Sequence, residues 1–395
     1  MPVTGIASKQ VLPNRVIPVL GALALILVWL LDLGSIQPNR IVPGTGHDLV
    51  SALGWVGAGL VTLGLVLAIV LSVLPLPGRY RGLLVLTCGA LAALPVLLEV
   101  FAARHLPDAS PYARTSVGAG FWSLLFLLSL MLIETLGRLR IGRWLQLLLL
   151  VFVSGSWLLL LSAEGLESLS LVREFNAQSD RFGQALQMHL ALALGAVAVS
   201  AVLAFLLALK MIRSPGWQGP ILGAVSFLQT IPSLALFGLL IAPLSALSAA
   251  FPFLQTLGIR GIGWAPALLA LIAYSLLPMV RNTFVALTEV PEYLAEAARG
   301  MGMNERQVFF RLKLPLAMPV IIEGIRITCI QAIGLTAVAA LIGAGGFGTF
   351  IFQGLGQAAM DLVLLGALPT IALALLADAL LTMLASTLRA EPATT

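Results

Sequence analysis

Charge is scarce in this sequence: only 10% of its 395 residues are Asp, Glu, Lys or Arg, whereas 59% are hydrophobic. The mean hydropathy is +1.04, while soluble domains carry about 25% charged residues. A soluble globular fold is therefore excluded. The apolar residues come in long blocks, and about 20 such residues cross a bilayer as a helix. The composition predicts an all-α integral membrane protein.

Long basic runs are also missing. The formal net charge is +5, but Lys and Arg are thinly scattered rather than clustered as in a nucleic-acid-binding segment. Such scattered cations are typical of the cytoplasmic loops of membrane proteins. We therefore expect no nucleic-acid partner.

Cysteine and nucleotide-binding motifs are lacking as well. Cys88 and Cys329 lie in apolar stretches and form no metal-ligand pattern. No G-x-x-x-x-G-K-[ST] sequence occurs, so ATP hydrolysis would need another chain, and we expect no cofactor or metal in this one. The segment 343–348 fits G-x-G-x-x-G, but no strand precedes it. We interpret it as a close helix approach or a chain reversal, and we expect His189 to be a packed residue rather than a ligand.

Ten apolar stretches are predicted to span the membrane, at residues 16–33, 50–75, 83–102, 119–137, 144–163, 187–209, 220–243, 263–287, 317–342 and 362–387. The first is followed by no cleavage site and is predicted to be retained. With the N-terminus in the cytoplasm, 15 of the 22 Lys and Arg residues fall inside, six outside and one within a span. This bias predicts that both termini are cytoplasmic.

The most charged external loop, at about 164–181, divides the chain into two regions. Residues 1–181 form an accessory region of about five spans, and residues 185–390 form a second region of about five spans. Most of the patterned polar residues lie in the second region.

The longest internal loop of the second region, 289–315, is predicted to form two short helices. Pro291 suits a first helical position, and Gly300 and Gly302 are expected to end the first helix. The second helix has a capping box and a hydrophobic staple, made by Asn304 with Gln307 and by Met303 with Val308. Pro315 is expected to end it.

This loop is predicted to present apolar side chains to the cytoplasm, namely Ala297, Ala298, Met301, Val308, Phe309 and Leu312. Such a surface indicates either a partner that receives a helix in a groove or an amphipathic helix on lipid headgroups. The residues alone leave both interpretations open.

The spacing Glu296-Ala297-Ala298, Gly302, Leu312, Leu314-Pro315 resembles the cytoplasmic signature of the permease subunits of binding-protein-dependent ABC importers. The resemblance covers about residues 185–390 and implies a five-helix, type I (MetI-like) importer core. It implies that the loop 289–315 docks on an ATP-binding subunit. The residues it assigns to coupling are Glu296, Ala297, Ala298, Gly302, Val308, Phe309, Leu312 and Pro315.

Three further segments, 229–236, 274–283 and 341–348, are similar to permeases for osmoprotectants such as glycine betaine and choline, in the long variant with an N-terminal membrane extension. The resemblance implies a dimer of ATP-binding subunits that binds ATP and Mg²⁺. It also implies a second permease subunit, identical or related, and a periplasmic or extracellular solute-binding protein. The location it implies is the bacterial inner membrane, in contact with lipid.

Polar residues inside spans mark either a transport path or hydrogen bonds between helices. Our candidates for the translocation path are Gln229, Pro232, Ser233, Tyr274 and Asn282. Glu323 and Arg326 are expected to form a structural pair. Alternative hypotheses are an importer for an amino acid such as methionine, or an ion-coupled secondary transporter with Asp378 as its coupling carboxylate. An intramembrane enzyme would need convergent catalytic residues, which are absent from the sequence.

Overall fold

The computed structural model describes residues 14–39, 42, 44–106, 112–139, 141–161 and 166–388. Within these ranges, eight helices are long and apolar enough to cross a membrane, and two shorter apolar helical stretches are Val16–Leu30 and Leu148–Trp157. The all-α membrane fold class is confirmed, while the count of ten spans stays a prediction. The chain forms two compact units, Met1–Ala177 and Gln178–Thr395.

The first unit contains helices joined at one end by a small sheet. Its helices are α1 Val16–Leu30, α2 Leu49–Val73, α3 Arg79–His105, α4 Ala119–Leu139, α5 Arg143–Leu161 and α6 Ser170–Ala177. Its strands are β1 Gly34–Gln37, β2 Thr45–His47 and β3 Arg114–Val117. The sheet is antiparallel in the order β2-β1-β3, with Gly34 opposite His47 and Ser35 opposite Ser116. These strands of three or four residues are too short to give a periodic signal in the sequence.

Packing in this unit follows helical spacing. On α1, Ile17, Gly21, Ala24 and Val28 are buried, and α1 packs against α2 and α4. The opposite face of α1 is equally apolar but exposed. A helix that is hydrophobic on all sides is stable in lipid, where it needs no polar face.

The second unit is built around a central helix. Its elements are α7 Ser179–Arg213, α8 Gln218–Thr230, α9 Ser233–Ala250, α10 Phe253–Thr256, α11 Trp264–Thr288, α12 Glu292–Gly300, α13 Glu305–Val308, α14 Leu314–Ala339, α15 Gly348–Gly356 and α16 Met360–Leu388. Helix α11 packs against α7, α8, α9 and α14, and α16 covers α14 and α15. Small buried residues on α7, such as Ala193, Ala196 and Ala204, let the helices approach closely.

The seventh predicted span, 220–243, contains a break between two helices. Helix α8 ends at Thr230, Ile231 adopts an extended conformation (φ −73°, ψ 127°), and α9 begins at Ser233. Proline disfavours the helical conformation in the residue before it, and it has no N–H to continue the hydrogen-bond ladder. Pro232 therefore breaks this segment into two helices, of which α9 alone is a candidate span.

Candidate functional site

The loop between α11 and α14 forms the two predicted short helices, α12 and α13. Pro291 is the N-cap of α12 (φ −58°, ψ 129°), one position before the first helical residue that the sequence suggested. Glu292 follows in the first turn and Arg299 lies in the last. Both charges oppose the partial charge of the helix end at which they lie, and so they stabilise this nine-residue helix.

Gly302 makes the turn that ends α12. Its φ is +87°, in the left-handed region, and a Cβ at this position would meet no atom within 4 Å. The N–H groups of Gly302 and Met303 donate to the carbonyls of Arg299 (2.9 Å) and Ala298 (3.1 Å). Glycine is thus required here for its backbone conformation rather than for its small size.

Helix α13 begins with the predicted capping box, which is confirmed. The Gln307 N–H donates to Asn304 Oδ1, and the Asn304 N–H donates to Gln307 Oε1, both at 2.9 Å. Met303 packs against a small cluster that contains Val308, as the predicted staple requires. The local sequence therefore fixes both the turn and the start of the second helix.

The prediction that Pro315 ends the second loop helix is wrong. Residues Phe309–Lys313 form a π-helical turn, and the helix continues from Glu305 to Ile342. Pro315 lies in the first turn of α14. It has no N–H for a normal bond to the preceding turn, and a π-helical turn is a common way for a helix to absorb such a defect. The loop is thus joined to the membrane helix α14 without a break.

The burial of the loop differs from the predicted apolar surface. Ala298 and Val308 are only 3% and 1% exposed, and with Ala295 they form the loop's own core, against which Leu312 packs. Phe309 packs against the membrane helices, with its ring 6.5 Å from that of Phe205. These residues hold the loop together because they occupy the inner faces of two short helices.

The apolar side chains that face outward are only partly those predicted from the sequence. Tyr293, Met301 and Phe310 are 67%, 74% and 54% exposed, and Glu296, Ala297 and Gly302 are exposed beside them. Sequence reasoning missed Tyr293 and Phe310. Phe310 directly follows the inward Phe309, so only the helical phase distinguishes the two side chains. We call Tyr293, Ala297, Met301 and Phe310 the exposed loop surface.

Ion pairs connect the two loop helices. Arg299 contacts Glu292 Oε1 at 2.9 Å and Glu305 Oε1 at 2.7 Å, and Lys313 contacts Glu292 Oε2 at 3.2 Å. Hydrogen bonds from Arg299 and Lys313 lower the pKa of Glu292, and hydrogen bonds to Glu305 and Glu292 raise the pKa of Arg299. All these groups are open to solvent, which screens the pairs, so they orient the helices more than they stabilise them.

Three of the predicted path residues meet around the break between α8 and α9. Gln229 Nε2 donates to the Tyr274 carbonyl at 2.8 Å, and the Tyr274 hydroxyl donates to the carbonyl of Ile231, next to Pro232. The Tyr274 carbonyl is free because Pro278, four residues on, has no N–H. Gln229 therefore satisfies the carbonyl that Pro278 leaves unpaired, and Tyr274 satisfies the carbonyl of Ile231, which is extended at the break between the helices.

The remaining path candidates take no part in these hydrogen bonds. Ser233 begins α9 and is half-buried. Asn282 lies two turns beyond Tyr274 on α11, where a Cβ on Gly324 of α14 would come within 2.8 Å of the Asn282 Cβ. Asn282 is thus at a tight α11–α14 contact rather than beside Gln229.

The far end of α14 carries a glycine turn fixed by a histidine. Gly343, Gly345 and Gly346 have φ of +77°, +83° and +78°, which confirms the predicted chain reversal. His189 is fully buried, and its Nδ1 accepts the Phe347 N–H at 3.3 Å. Its Nε2 lies 3.0 Å from the Ile333 carbonyl and therefore carries the proton. His189 is a packed residue, as expected.

A charged cluster connects α14 and α16. Arg326 pairs with Glu323, contacts Asp378 Oδ1 at 3.2 Å and donates to Thr382 Oγ1 at 2.8 Å. The predicted Glu323–Arg326 pair is confirmed. Asp378 is held by a fixed cation, which disfavours its role as an ion-coupling carboxylate, because such a group must change its protonation or ion occupancy.

Two family models match this chain. "Binding-protein-dependent transport system inner membrane component" matches residues 182–390, and "ABC transporter permease YehY, N-terminal domain" matches residues 14–172. The first covers more than half of the chain, so the chain belongs to the family of binding-protein-dependent transport system inner membrane components.

Curated relatives match about half of this chain. The carnitine transport permease protein OpuCB of Listeria monocytogenes is 39% identical over 190 residues, 48% of this chain and 80% of that protein. The osmoprotectant import permease protein OsmW of Salmonella typhimurium is 40% identical over 193 residues, 49% of this chain and 85% of that protein. The choline transport system permease protein OpuBB of Bacillus subtilis is 36% identical over 190 residues, 48% of this chain and 80% of that protein.

Membership of this family defines the chain as a multi-pass permease component of an ABC importer and not as an enzyme. Such a component works with an ATP-binding subunit and a solute-binding partner.

Proposed function

We propose that this chain is the permease subunit of an ATP-driven importer for osmoprotectants such as glycine betaine or choline. The relatives named above, for carnitine, osmoprotectants and choline, support this substrate class. These named solutes share a quaternary ammonium group, whose charge is best recognised by aromatic faces. The recognition step would then belong to the solute-binding partner, and the membrane path need only be permissive.

The folded loop between α11 and α14 is the single observation that carries the mechanism. We propose that the exposed loop surface, with Glu296 and Gly302 beside it, docks into a groove of the ATP-binding subunit. Ala298, Val308, Phe309 and Leu312 would support this surface from within. The loop continues through Pro315 into α14 without a break, so movement of the docked loop would be transmitted directly to a membrane helix.

The translocation path in this proposal follows the broken helix. The break at Pro232, with Gln229, Ser233 and Tyr274, and the α11–α14 contact at Asn282 would line or brace the path during alternating access. The core region, 185–390, would rock against a second permease subunit, and residues 1–181 would be accessory. The chain would lie in the bacterial inner membrane with both termini cytoplasmic, and ATP and Mg²⁺ would bind only to a dimer of ATP-binding subunits.

Uptake into proteoliposomes tests this proposal. The complete importer, with its ATP-binding subunit and solute-binding protein, is reconstituted and given radiolabelled glycine betaine, choline or methionine. We expect uptake of the quaternary ammonium solutes that needs internal ATP and the binding protein. Uptake of methionine alone would contradict the substrate class, and uptake by the permease alone under an ion gradient would contradict ATP coupling.

A matched pair of variants tests the docking role. Phe310→Ser removes apolar area from the exposed loop surface, whereas Arg311→Gln changes an exposed loop residue that is not part of that surface. We expect the first to weaken co-purification with the ATP-binding subunit and the second to have little effect. Equal binding by wild type and Phe310→Ser would contradict docking through this surface.

A further inference from the structure

A groove runs between α2 and α3 of the first unit, with part of α4 at its base. Its volume is about 500 Å³. Gly64 on α2 and Gly89, Ala90 and Ala93 on α3 line it, and their small size leaves the space unfilled. Leu60 and Val85 at its rim are 65% and 73% exposed, so the groove opens to the outer surface of the helices.

The groove is lined almost entirely by apolar side chains. Thr87 is its one residue with a polar side chain, and the Thr87 hydroxyl already donates to the Leu83 carbonyl at 2.7 Å. Water needs several polar partners to occupy a cavity, and apolar cavities of about 150 Å³ stay dry and bind benzene. A groove more than three times that size therefore fits a long hydrocarbon.

The length of the groove corresponds to one leaflet of a bilayer. Along α3 it extends from Val85 to Leu97, and along α2 from Leu60 to Ala68. At 1.5 Å per residue these stretches are about 18 Å and about 12 Å long. The hydrocarbon core of a bilayer is about 30 Å thick, so one leaflet is about 15 Å. A transmembrane helix bound here would need a groove that extends through both leaflets, whereas an acyl chain needs a groove that extends through only one leaflet.

An exposed cation lies one turn beyond the surface end of the groove. Arg81 precedes Val85 by four residues, so both lie on the same face of α3. The side chain of Arg81 is exposed and forms no ion pair within the part of the chain that the structure describes. Its neighbour Arg79 is buried, and Arg79 Nη1 lies 3.4 Å from the Leu74 carbonyl. Arg81 is therefore available to the phosphate of a lipid headgroup.

We propose that this groove binds one acyl chain of an anionic glycerophospholipid from the surrounding bilayer, with Arg81 at the headgroup phosphate. The apolar lining, the one-leaflet length and the exposed cation at the membrane-surface end together fit this ligand. The site lies within the first unit and does not depend on the solute that the permease transports.

Native mass spectrometry of the full chain tests the proposal, with added phosphatidylglycerol or phosphatidylcholine. The double variant Gly64→Leu/Gly89→Leu fills the groove, and a Cβ at either position meets no atom within 4 Å. Leucine also favours the helix over glycine, so this variant should fold. We expect it to lose the retained lipid. Gly59→Leu, an exposed position on α2 outside the groove, is the matched control and should retain it.

The headgroup contact is tested separately. Arg81→Gln should keep the acyl chain but lower the preference for phosphatidylglycerol over phosphatidylcholine by about fivefold, the effect of one cation near an anionic surface. An unchanged preference would overturn the role of Arg81. Equal lipid retention by wild type and the filled-groove variant would overturn the site.

A photo-crosslinking amino acid at Val85 identifies the occupant in native membranes and does not require a folded glycine variant. A crosslink to phospholipid supports the proposal. A crosslink to a polypeptide would show that another helix covers the groove, and the absence of any crosslink would show that it is empty; either result overturns the proposal.

Discussion

Substitution of Gly302 directly affects only the backbone conformation of the loop. Gly302 turns the chain between α12 and α13 with φ of +87°, and a Cβ added there meets no atom within 4 Å. A non-glycine residue in the left-handed region costs roughly 1–2 kcal/mol. Since 1.4 kcal/mol corresponds to a factor of ten, Gly302→Ala is expected to lower the equilibrium constant between the native turn and other loop conformations by about 5–30-fold.

The measurable consequence is weaker docking of the loop. If the ATP-binding subunit recognises only the native turn, its apparent affinity for the Gly302→Ala permease falls by up to the same factor. Binding of the ATP-binding subunit to the permease in nanodiscs measures this directly, and ATP-driven uptake should fall with it. The melting temperature of the permease should hardly change, because the turn is exposed and lies outside the membrane core.

The order of the variants distinguishes strain from size. Asn enters the left-handed region more readily than Ala although it is larger. We therefore expect Gly302→Asn to bind better than Gly302→Ala, and both to bind less well than wild type. Gly300→Ala, at the last helical residue of α12 where φ is negative and a Cβ is also unobstructed, is the control and should be neutral. If Asn were worse than Ala, or if the control were equally impaired, the reasoning would be refuted.

Three further predictions follow from the geometry of the second unit. Tyr274→Phe removes the hydroxyl that bonds the Ile231 carbonyl, and should destabilise the protein in detergent by about 0.6–1.7 kcal/mol, measured by thermal unfolding; no change would show that the bond contributes nothing. Val308→Ser, in the loop's own core, should increase hydrogen exchange across the loop, whereas Phe310→Ser, on its exposed surface, should not; the reverse result would contradict the observed burial. The lowered pKa of Glu292 means that its pairing with Arg299 and Lys313 is fully present above the ordinary Glu pKa of about 4.3 and is lost as the pH falls through the lowered value. Hydrogen exchange of the loop amides should therefore rise over that acidic range in wild type. It should rise much less in the Glu292→Gln variant, which lacks the carboxylate.

Several local features of the structure could be predicted from residues that are close together in the sequence. The capping box of Asn304 and Gln307, the glycine turns at 302 and 343–346, and the Glu323–Arg326 pair each depend on residues a few positions apart. Their geometry follows from backbone preferences and helical spacing, which a single sequence contains. The same is true of the membrane class, because a bilayer requires long apolar helices.

The effect of a proline on a membrane helix depends on its surroundings in the folded protein. Pro315 was expected to end a helix, but the chain continues through a π-helical turn. Pro232 lies within the predicted span 220–243 and separates two helices. Whether a proline ends, bends or is absorbed by a helix depends on which neighbours satisfy the freed backbone groups, and those neighbours are distant in sequence.

By itself, the sequence determined that this is a polytopic helical membrane protein with a folded loop between two spans of its second half, because hydropathy and capping are local properties. Only the tertiary structure decided which loop residues face outward, since Phe309 and Phe310 differ in helical phase alone. It also paired Gln229 with Tyr274 across 45 residues and joined Arg326 to Asp378. The groove beside Arg81 likewise exists only once α2 and α3 pack, because a glycine leaves space only where no neighbour fills it.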